Sequence, residues 1–272
     1  MSAKLLLGKP CADSICDHVR KELASRKGKL YTIGFDFDTW KQYSNSLSKS
    51  ATKYGFECEE VVLSDNATPD EFCNAVEGVC SRAEATGVIV QQPLPKEYAN
   101  ALNFVDVSKD VDCLNPLSVA KLYKGENGLY PATPLAVIRL LDYYKIDLQG
   151  KHVVIVGRGN AVGKPLALMA LQRNATVTIC HTKTVDLASV CRTADVLISA
   201  CGVAGLITKD FVKHSTIVID VGLSFVDGQT RGDVASEVYE IVAAVSPVPS
   251  GVGPVTRATL FENLCKALNE AK

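Results

Sequence analysis

From Lys151 to Leu171 the chain reads KHVVIVGRGNAVGKPLALMAL: an apolar run that stops on Gly157, a gap holding Gly159 and Gly163, then a stretch of helix formers. Few folds accept that order. A short apolar run without alternation is a strand buried on both faces, and such strands belong to parallel sheets covered by helices. Glycines where the strand meets the helix allow a tight turn, and let a pyrophosphate approach backbone N–H groups at the positive end of the helix dipole. The spacing G-x-G-x-x-x-G is one residue longer than the commonest dinucleotide fingerprint. A purely structural strand-to-helix turn is therefore the competing reading. The candidate cofactor-binding residues here are Gly157, Arg158, Gly159, Val162 and Gly163.

The next strand, ATVTIC, bears on the cofactor. An NAD site usually carries an acid at that strand's end to accept hydrogen bonds from the ribose 2′-OH. Here the strand ends in Cys180-His181-Thr182-Lys183-Thr184, with no carboxylate to repel a 2′-phosphate. Arg158, Thr182 and Lys183 can supply it with donors and charge, and His181 reads as a hydrogen-bonding loop residue. NADP is favoured, and NAD stays open as the alternative.

Around this unit the chain alternates strand and helix. GKPCADSICDHVRKEL has helical spacing, LYTIGFD reads as a strand, KQYSNSLSKSATKYG as a helix and FECEEVVLS as a strand. TPDEFCNAVEGVCSRA carries an N-cap in Thr68 and a proline at the first helical position, and GVIVQQPLP is a strand that stops on prolines. After a turn-rich middle segment come the helical TPLAVIRLLDYYK, the glycine-loop unit, and the further strands DVLISACG and STIVIDVG; a terminal helix closes the chain. The expectation is an α/β fold of two domains, one of them Rossmann-like.

Charge narrows the partner. Lysine plus arginine numbers 29 against 30 acids, a formal charge of −1, so no basic field points to nucleic acid or to an anionic membrane. No apolar run reaches a membrane span, and the N-terminal apolar patch is too short for a signal-peptide core. The ten cysteines are scattered without a C-x-x-C pair, which disfavours zinc and disulfides and suits free thiols in a reducing cytoplasm. A small-molecule substrate and no metal is the expectation.

Four segments in order, VQQPLP at 90–95, KDVDCLNP at 109–116, GRGNAVGKP with its CHTKT partner, and SPVPSGVGPVT at 246–256, resemble the methylenetetrahydrofolate dehydrogenase/cyclohydrolase (FolD) family. LLLGKPCA and GFECEEVVL fit as well, so the resemblance runs end to end. It implies two α/β domains with a folate cleft between them, a C-terminal helix that returns to the first domain, and a homodimer formed through the nucleotide domain. The implied boundaries are 1–135 with 251–272 for the catalytic folate-binding domain and 136–250 for the NAD(P)-binding domain. By the same resemblance, Tyr43 stacks on the aminobenzoyl ring, Asp112 hydrogen-bonds the pterin, and Gln91 approaches the one-carbon unit. Pro249 and the Gly251 to Gly253 segment form part of the folate and nicotinamide wall. Read singly, Tyr43 is a half-buried aromatic, Asp112 a turn cap and Gln91 a strand-end polar group.

The chain departs from the family pattern in places. KDVDG becomes KDVDC at Cys113, Ser118 stands where a glycine is usual, and PCTP-x-G becomes PATP-x-A at Ala132 and Ala136. Counting back from Gly55 puts Tyr43 on the tyrosine of the family's Y-x-x-x-K, and the lysine position then falls on Leu47. Hydride transfer needs mainly positioning. Hydrolysis of the methenyl product needs protons moved, which the family assigns to that lysine. The expectation is oxidation of 5,10-methylenetetrahydrofolate with weak or absent cyclohydrolase activity. The alternatives are a bifunctional enzyme using another lysine such as Lys49, a folate- or nucleotide-binding homologue without turnover, and a different NAD(P) dehydrogenase on a similar scaffold.

Overall fold

The computed structural model describes residues 2–23 and 26–271. In chain order the elements are β1 (Lys4–Leu5), α1 (Gly8–Leu23), β2 (Lys29–Phe35), α2 (Asp38–Tyr54), β3 (Glu57–Leu63), α3 (Pro69–Cys80), β4 (Ala85–Val90), α4 (Pro116–Lys124) and α5 (Ala132–Tyr143). There follow β5 (His152–Val156), α6 (Gly163–Leu171), β6 (Thr176–Cys180), α7 (Leu187–Arg192), β7 (Val196–Ser199), β8 (Ile217–Asp220), β9 (Ser224–Val226), β10 (Gln229–Arg231), β11 (Ala244–Ser246) and α8 (Val252–Glu270). The α/β architecture read from the sequence is the one observed. The chain divides into two compact units, residues 14–132 with 259–272 and residues 1–13 with 133–258.

The first of these units is built on a three-stranded parallel sheet in the order β3-β2-β4. Strands β2 and β4 are buried almost throughout, the mark of a sheet covered on both faces. On one face Tyr31, Ile33 and Phe35 pack with Phe72, Val76 and Val79 of α3. The start of α3 follows its sequence: Thr68 Oγ1 accepts from Glu71 N–H while the Glu71 carboxylate accepts from Thr68 N–H, a full capping box. Helix α2 buries Trp40, Ser44, Leu47, Ala51 and Tyr54, a stripe of helical period. The C-terminal half of α8 returns to this unit, where Phe261 stacks on Tyr54 with ring centroids 4.6 Å apart.

The other unit holds a six-stranded sheet in the order β1-β11-β8-β7-β5-β6, every adjacent pair parallel. This unit takes in residues 1–13 and 251–258, which the expected boundaries gave to the other domain. Lys4–Leu5 pair with Ala244–Val245 and so form the sheet edge, which groups residues 1–13 with this unit and not with the folate-side domain. Two- and three-residue strands carry too little pattern to be read from sequence. The helix α4, inside the segment read as turn-rich, is likewise short; its signals are the Asn115 cap, Pro116 in the first turn and Gly125 at the end.

Candidate active site

Tyr43, Gln91 and Asp112 are brought together by three separate stretches of one unit. Tyr43 stands near the start of α2, whose seating on the sheet is fixed by a buried hydroxyl pair, Thr32 Oγ1 with Ser44 Oγ at 2.9 Å. Gln91 follows β4 directly, its N–H donating to Ile33 O at 2.8 Å. Its side chain is 7% exposed, and Oε1 accepts from Phe35 N–H at 2.7 Å. A backbone N–H can only donate, so the atom facing it is the amide oxygen, and the NH₂ group is the one left for a ligand.

Asp112 lies on the loop after the bridge between Val88 and Asp110. That loop is pinned by the returning helix α8, where Asn263 Nδ2 donates to Val111 O at 2.8 Å and to Tyr130 O at 2.7 Å, and Thr259 Oγ1 donates to Ala132 O. Asp110 is buried and accepts from Leu114 and Asn115 N–H, so it caps the turn that shapes the loop. Cys113, the family's glycine position, has φ +55, the left-handed region that favours glycine, and its thiol is buried. Burial, with the charges of Asp110 and Asp112 beside it, pushes that thiol up to about 12.

Tyr43, Gln91 and Asp112 all line one pocket of about 310 Å³, together with Trp40, Ile89, Val90, Gln92 and Pro93. Such a volume lies at the small end of ligand sites. Among the described residues that line it there is no lysine. Lys49 is exposed on α2 and Leu47 is 2% exposed, so neither belongs to the lining. Leu47, four residues after Tyr43, is part of the core-facing stripe of α2, because that helix buries the face it shares with Ser44, Ala51 and Tyr54. The pocket also contains a residue the sequence reading passed over: Trp40, one turn before Tyr43, with ring centroids 5.6 Å apart.

The Asp112 carboxyl is pushed up to about 7, first by burial and then by the charge of Asp110, against one hydrogen bond from Ala132. An unfolded aspartate titrates near 4. Between about 4 and 7 the folded chain holds a proton that the unfolded chain has lost. Stability linked to Asp112 is therefore complete below about 4, falls as pH rises, and is gone above about 7.

Pro249, Gly251 and Gly253 belong to the other unit, at the entry to α8. Gly251 is required there because a Cβ would meet Pro247 O at 2.5 Å, whereas at Gly253 it would meet nothing within 4 Å.

The cofactor candidates cluster in that same unit at the carboxyl ends of β5 and β6, which pair in register from His152↔Thr176 to Val156↔Cys180. Gly157 N–H donates to Cys180 O, tying the two strand ends together. Gly157 has φ +125, and a Cβ on it would lie 2.5 Å from Ala200 O; on Gly163 it would lie 2.1 Å from Gly157 O. On Gly159 it would meet nothing. The chain's own packing thus explains two of the glycines and leaves space above the third. Val162 is the N-cap of α6, and no described side chain caps that helix; Lys164 N–H donates to Gly159 O at 3.1 Å, Leu166 N–H donates to Val162 O at 2.9 Å and Pro165 carries no N–H, which leaves Gly163 N–H at the helix mouth to face an anion.

Arg158 and Thr182 each stand two residues beyond the paired Val156 and Cys180, both exposed. The CHTKT turn is closed by Thr184 Oγ1 accepting from His181 N–H at 2.9 Å and by His181 Nδ1 accepting from Lys183 N–H at 3.1 Å. The next acid along the chain, Asp186, is spent capping α7 through Ser189 N–H. The donor set therefore fits the phosphates of a nicotinamide dinucleotide. Among the described residues, no group of three or more His, Cys, Asp or Glu side chains could hold a metal ion, and no helix is long and apolar enough to cross a membrane.

Residues 6–112 match the tetrahydrofolate dehydrogenase/cyclohydrolase catalytic domain, and residues 131–272 match the NAD(P)-binding domain of the same family. A bifunctional protein FolD from Clostridium perfringens is 42% identical over 230 residues, covering 84% of this chain and 83% of that protein. The bifunctional FolD methylenetetrahydrofolate dehydrogenase/cyclohydrolase from Campylobacter jejuni superposes with a TM-score of 0.95 at 36% identity, covering 99% of both chains. The Trypanosoma brucei methylenetetrahydrofolate dehydrogenase-cyclohydrolase, solved with NADP and an inhibitor, gives a TM-score of 0.91 at 32% identity over 99% of this chain and 98% of that one.

Proposed function

Because the chain belongs to the tetrahydrofolate dehydrogenase/cyclohydrolase family, we propose that it oxidises 5,10-methylenetetrahydrofolate to the methenyl form with NADP, and that its cyclohydrolase activity is weak or absent. The observation that carries the reading is the pocket in which Tyr43, Gln91 and Asp112 converge without a lysine. In this reading the Tyr43 ring, 46% exposed, offers a face to the aminobenzoyl group. The Gln91 NH₂ approaches the one-carbon bridge, and the Asp112 carboxylate accepts from pterin N–H groups. When bound, the nicotinamide accepts the hydride, while the nitrogen lone pair of the folate stabilises the cation left behind. What the chain supplies is position and a pocket lined largely by apolar groups.

Gly157, Gly159, Val162 and Gly163 cradle the pyrophosphate in this reading, and Arg158, Thr182 and Lys183 surround the 2′-phosphate, with His181 holding the turn. Pro249, Gly251 and Gly253 contribute to the folate and nicotinamide wall. A homodimer through the nucleotide-binding unit is part of the proposal, supported by the exposed Val203, Leu223 and Phe225 of that unit. A cytoplasmic location is supported by ten free thiols. The second reading, a bifunctional enzyme, is favoured by the names of the relatives and needs Asp112, or a group outside the pocket lining, to move the protons that the family assigns to a lysine.

The direct test mixes the protein with 5,10-methylenetetrahydrofolate and each nicotinamide and follows the reduced cofactor. Turnover with neither sinks the dehydrogenase reading. Arg158→Ala is expected to weaken NADP by about 1.5–3 kcal/mol, roughly one to two decades in affinity, while leaving NAD nearly untouched. A wild type that already prefers NAD would contradict the assignment of Arg158.

A second expectation concerns pH. Protonated Asp112 cannot accept from the pterin, so folate affinity should fall as pH drops below about 7, by up to about tenfold per unit, and level off above it. Trp40, the only tryptophan and a pocket residue, reports binding by its emission. Asp112→Asn should flatten the profile and leave nucleotide binding intact; an unchanged slope would remove Asp112 from the folate contact.

A further inference from the structure

Trp40 is built into the pocket wall. It stands in the first turn of α2, is 4% exposed, and tilts 38° against the Tyr43 ring. Its Nε1 is buried and has no hydrogen-bond partner among the described residues, so packing and not polarity holds the indole in place. The contact is defined by Gly34 of β2. A Cβ built there would lie 2.4 Å from Trp40 Nε1 and 2.6 Å from Gln91 Oε1. Indole and amide therefore flank the same bare patch of backbone, and any side chain at position 34 would displace one or both.

We propose that Trp40 is a positioning residue for Gln91. The indole fills the volume into which the glutamine side chain would otherwise rotate, and so keeps Oε1 on Phe35 N–H and the NH₂ group toward the ligand. A glutamine side chain has several rotatable bonds to immobilise, and a group displaced near a reacting atom by about 1 Å can cost up to about a hundredfold in rate. Because the indole N–H makes no hydrogen bond to the described residues, the bulk of the ring and not a hydrogen bond from it holds the amide. The proposal rests on the reading that the pocket takes the reduced folate and that Gln91 approaches its one-carbon bridge.

The test is a double-mutant cycle on the full-length protein, with kcat and KM for 5,10-methylenetetrahydrofolate measured at saturating NADP. Trp40→Ala is expected to lower kcat about ten- to a hundredfold with a much smaller change in KM. Gln91→Ala should lose at least as much, and Trp40→Ala with Gln91→Ala should lose no more than Gln91→Ala alone, because the indole acts only through the amide. Trp40→Phe should recover most of the rate. Losses that multiply in the double variant, or a phenylalanine as slow as the alanine, overturn the role of Trp40 while leaving the dehydrogenase reading standing. If Trp40→Ala does not fold, Trp40→Leu enters the same cycle with the same non-additivity expected. A wild type without turnover on either nicotinamide overturns the folate reading itself, and this role with it.

Discussion

Methenyltetrahydrofolate released by the wild-type protein is expected to decay at close to its rate in buffer. Proton-transfer assistance is typically worth about 10²–10⁴-fold, and the pocket that holds Tyr43, Gln91 and Asp112 has no lysine among its lining residues to provide it. Leu47, at the family's lysine position, is 2% exposed in the core-facing stripe of α2. Helical side chains lean toward the N-terminus, and the α2 residues of the pocket, Trp40 and Tyr43, lie on that side of Leu47. A longer side chain at position 47 therefore leans toward the pocket, and Leu47→Lys should raise enzyme-dependent decay of the methenyl chromophore above the wild-type level. Burying an unpaired ammonium costs about 3–5 kcal/mol and lowers its pKa, so the same variant should melt well below wild type. Rapid hydrolysis by wild type, abolished by Lys49→Ala and spared by Leu47→Ala, would transfer the role to Lys49 and overturn the monofunctional reading.

The glycine loop should separate stability from binding in one experiment. Gly163→Ala places a Cβ 2.1 Å from Gly157 O and 2.7 Å from its carbonyl carbon, backbone atoms that cannot rotate aside. Overpacking of this kind costs about 1–3 kcal/mol, and the distorted loop should lose most of its dinucleotide affinity. Gly159→Ala meets nothing within 4 Å, so its stability should stay within about 0.5 kcal/mol of wild type. Its NADP affinity should nevertheless fall, because the new methyl occupies the space left for a phosphate. Calorimetric titration with NADP beside thermal melts of both variants reads the two effects apart. A Gly159→Ala protein that binds NADP as wild type does would show that the phosphates lie elsewhere.

The contrast between these glycines shows how far the primary structure carries. The loop, its flanking strand and helix, and the absent acid after β6 are legible because each is a local pattern with a local cause: apolar run, turn residue, helix start. The capping box at Thr68 is of the same kind, since its bonds close within four residues. The reading of Leu47 as the family's lysine position rests on the resemblance, counted from Gly55, which ends α2 with φ +91. By contrast, β1 and β11 are too short to declare themselves, and they exist because an edge of the sheet was available to pair with.

Which glycine is needed for packing and which leaves room cannot be read from G-x-G-x-x-x-G, because Ala200 O, the atom that a Cβ on Gly157 would strike, lies 43 residues away in sequence. The sequence by itself determined the α/β class, the strand–loop–helix unit and the order of the family motifs, all properties of chain-local pattern and spacing. Only the tertiary structure decided that Leu47 is core, that Trp40 is a wall of the pocket, and that burial and Asp110 push the Asp112 carboxyl up to about 7. The physical reason is that burial, steric contact and the field of a neighbouring carboxylate depend on distances between segments remote in sequence, and folding alone sets those distances.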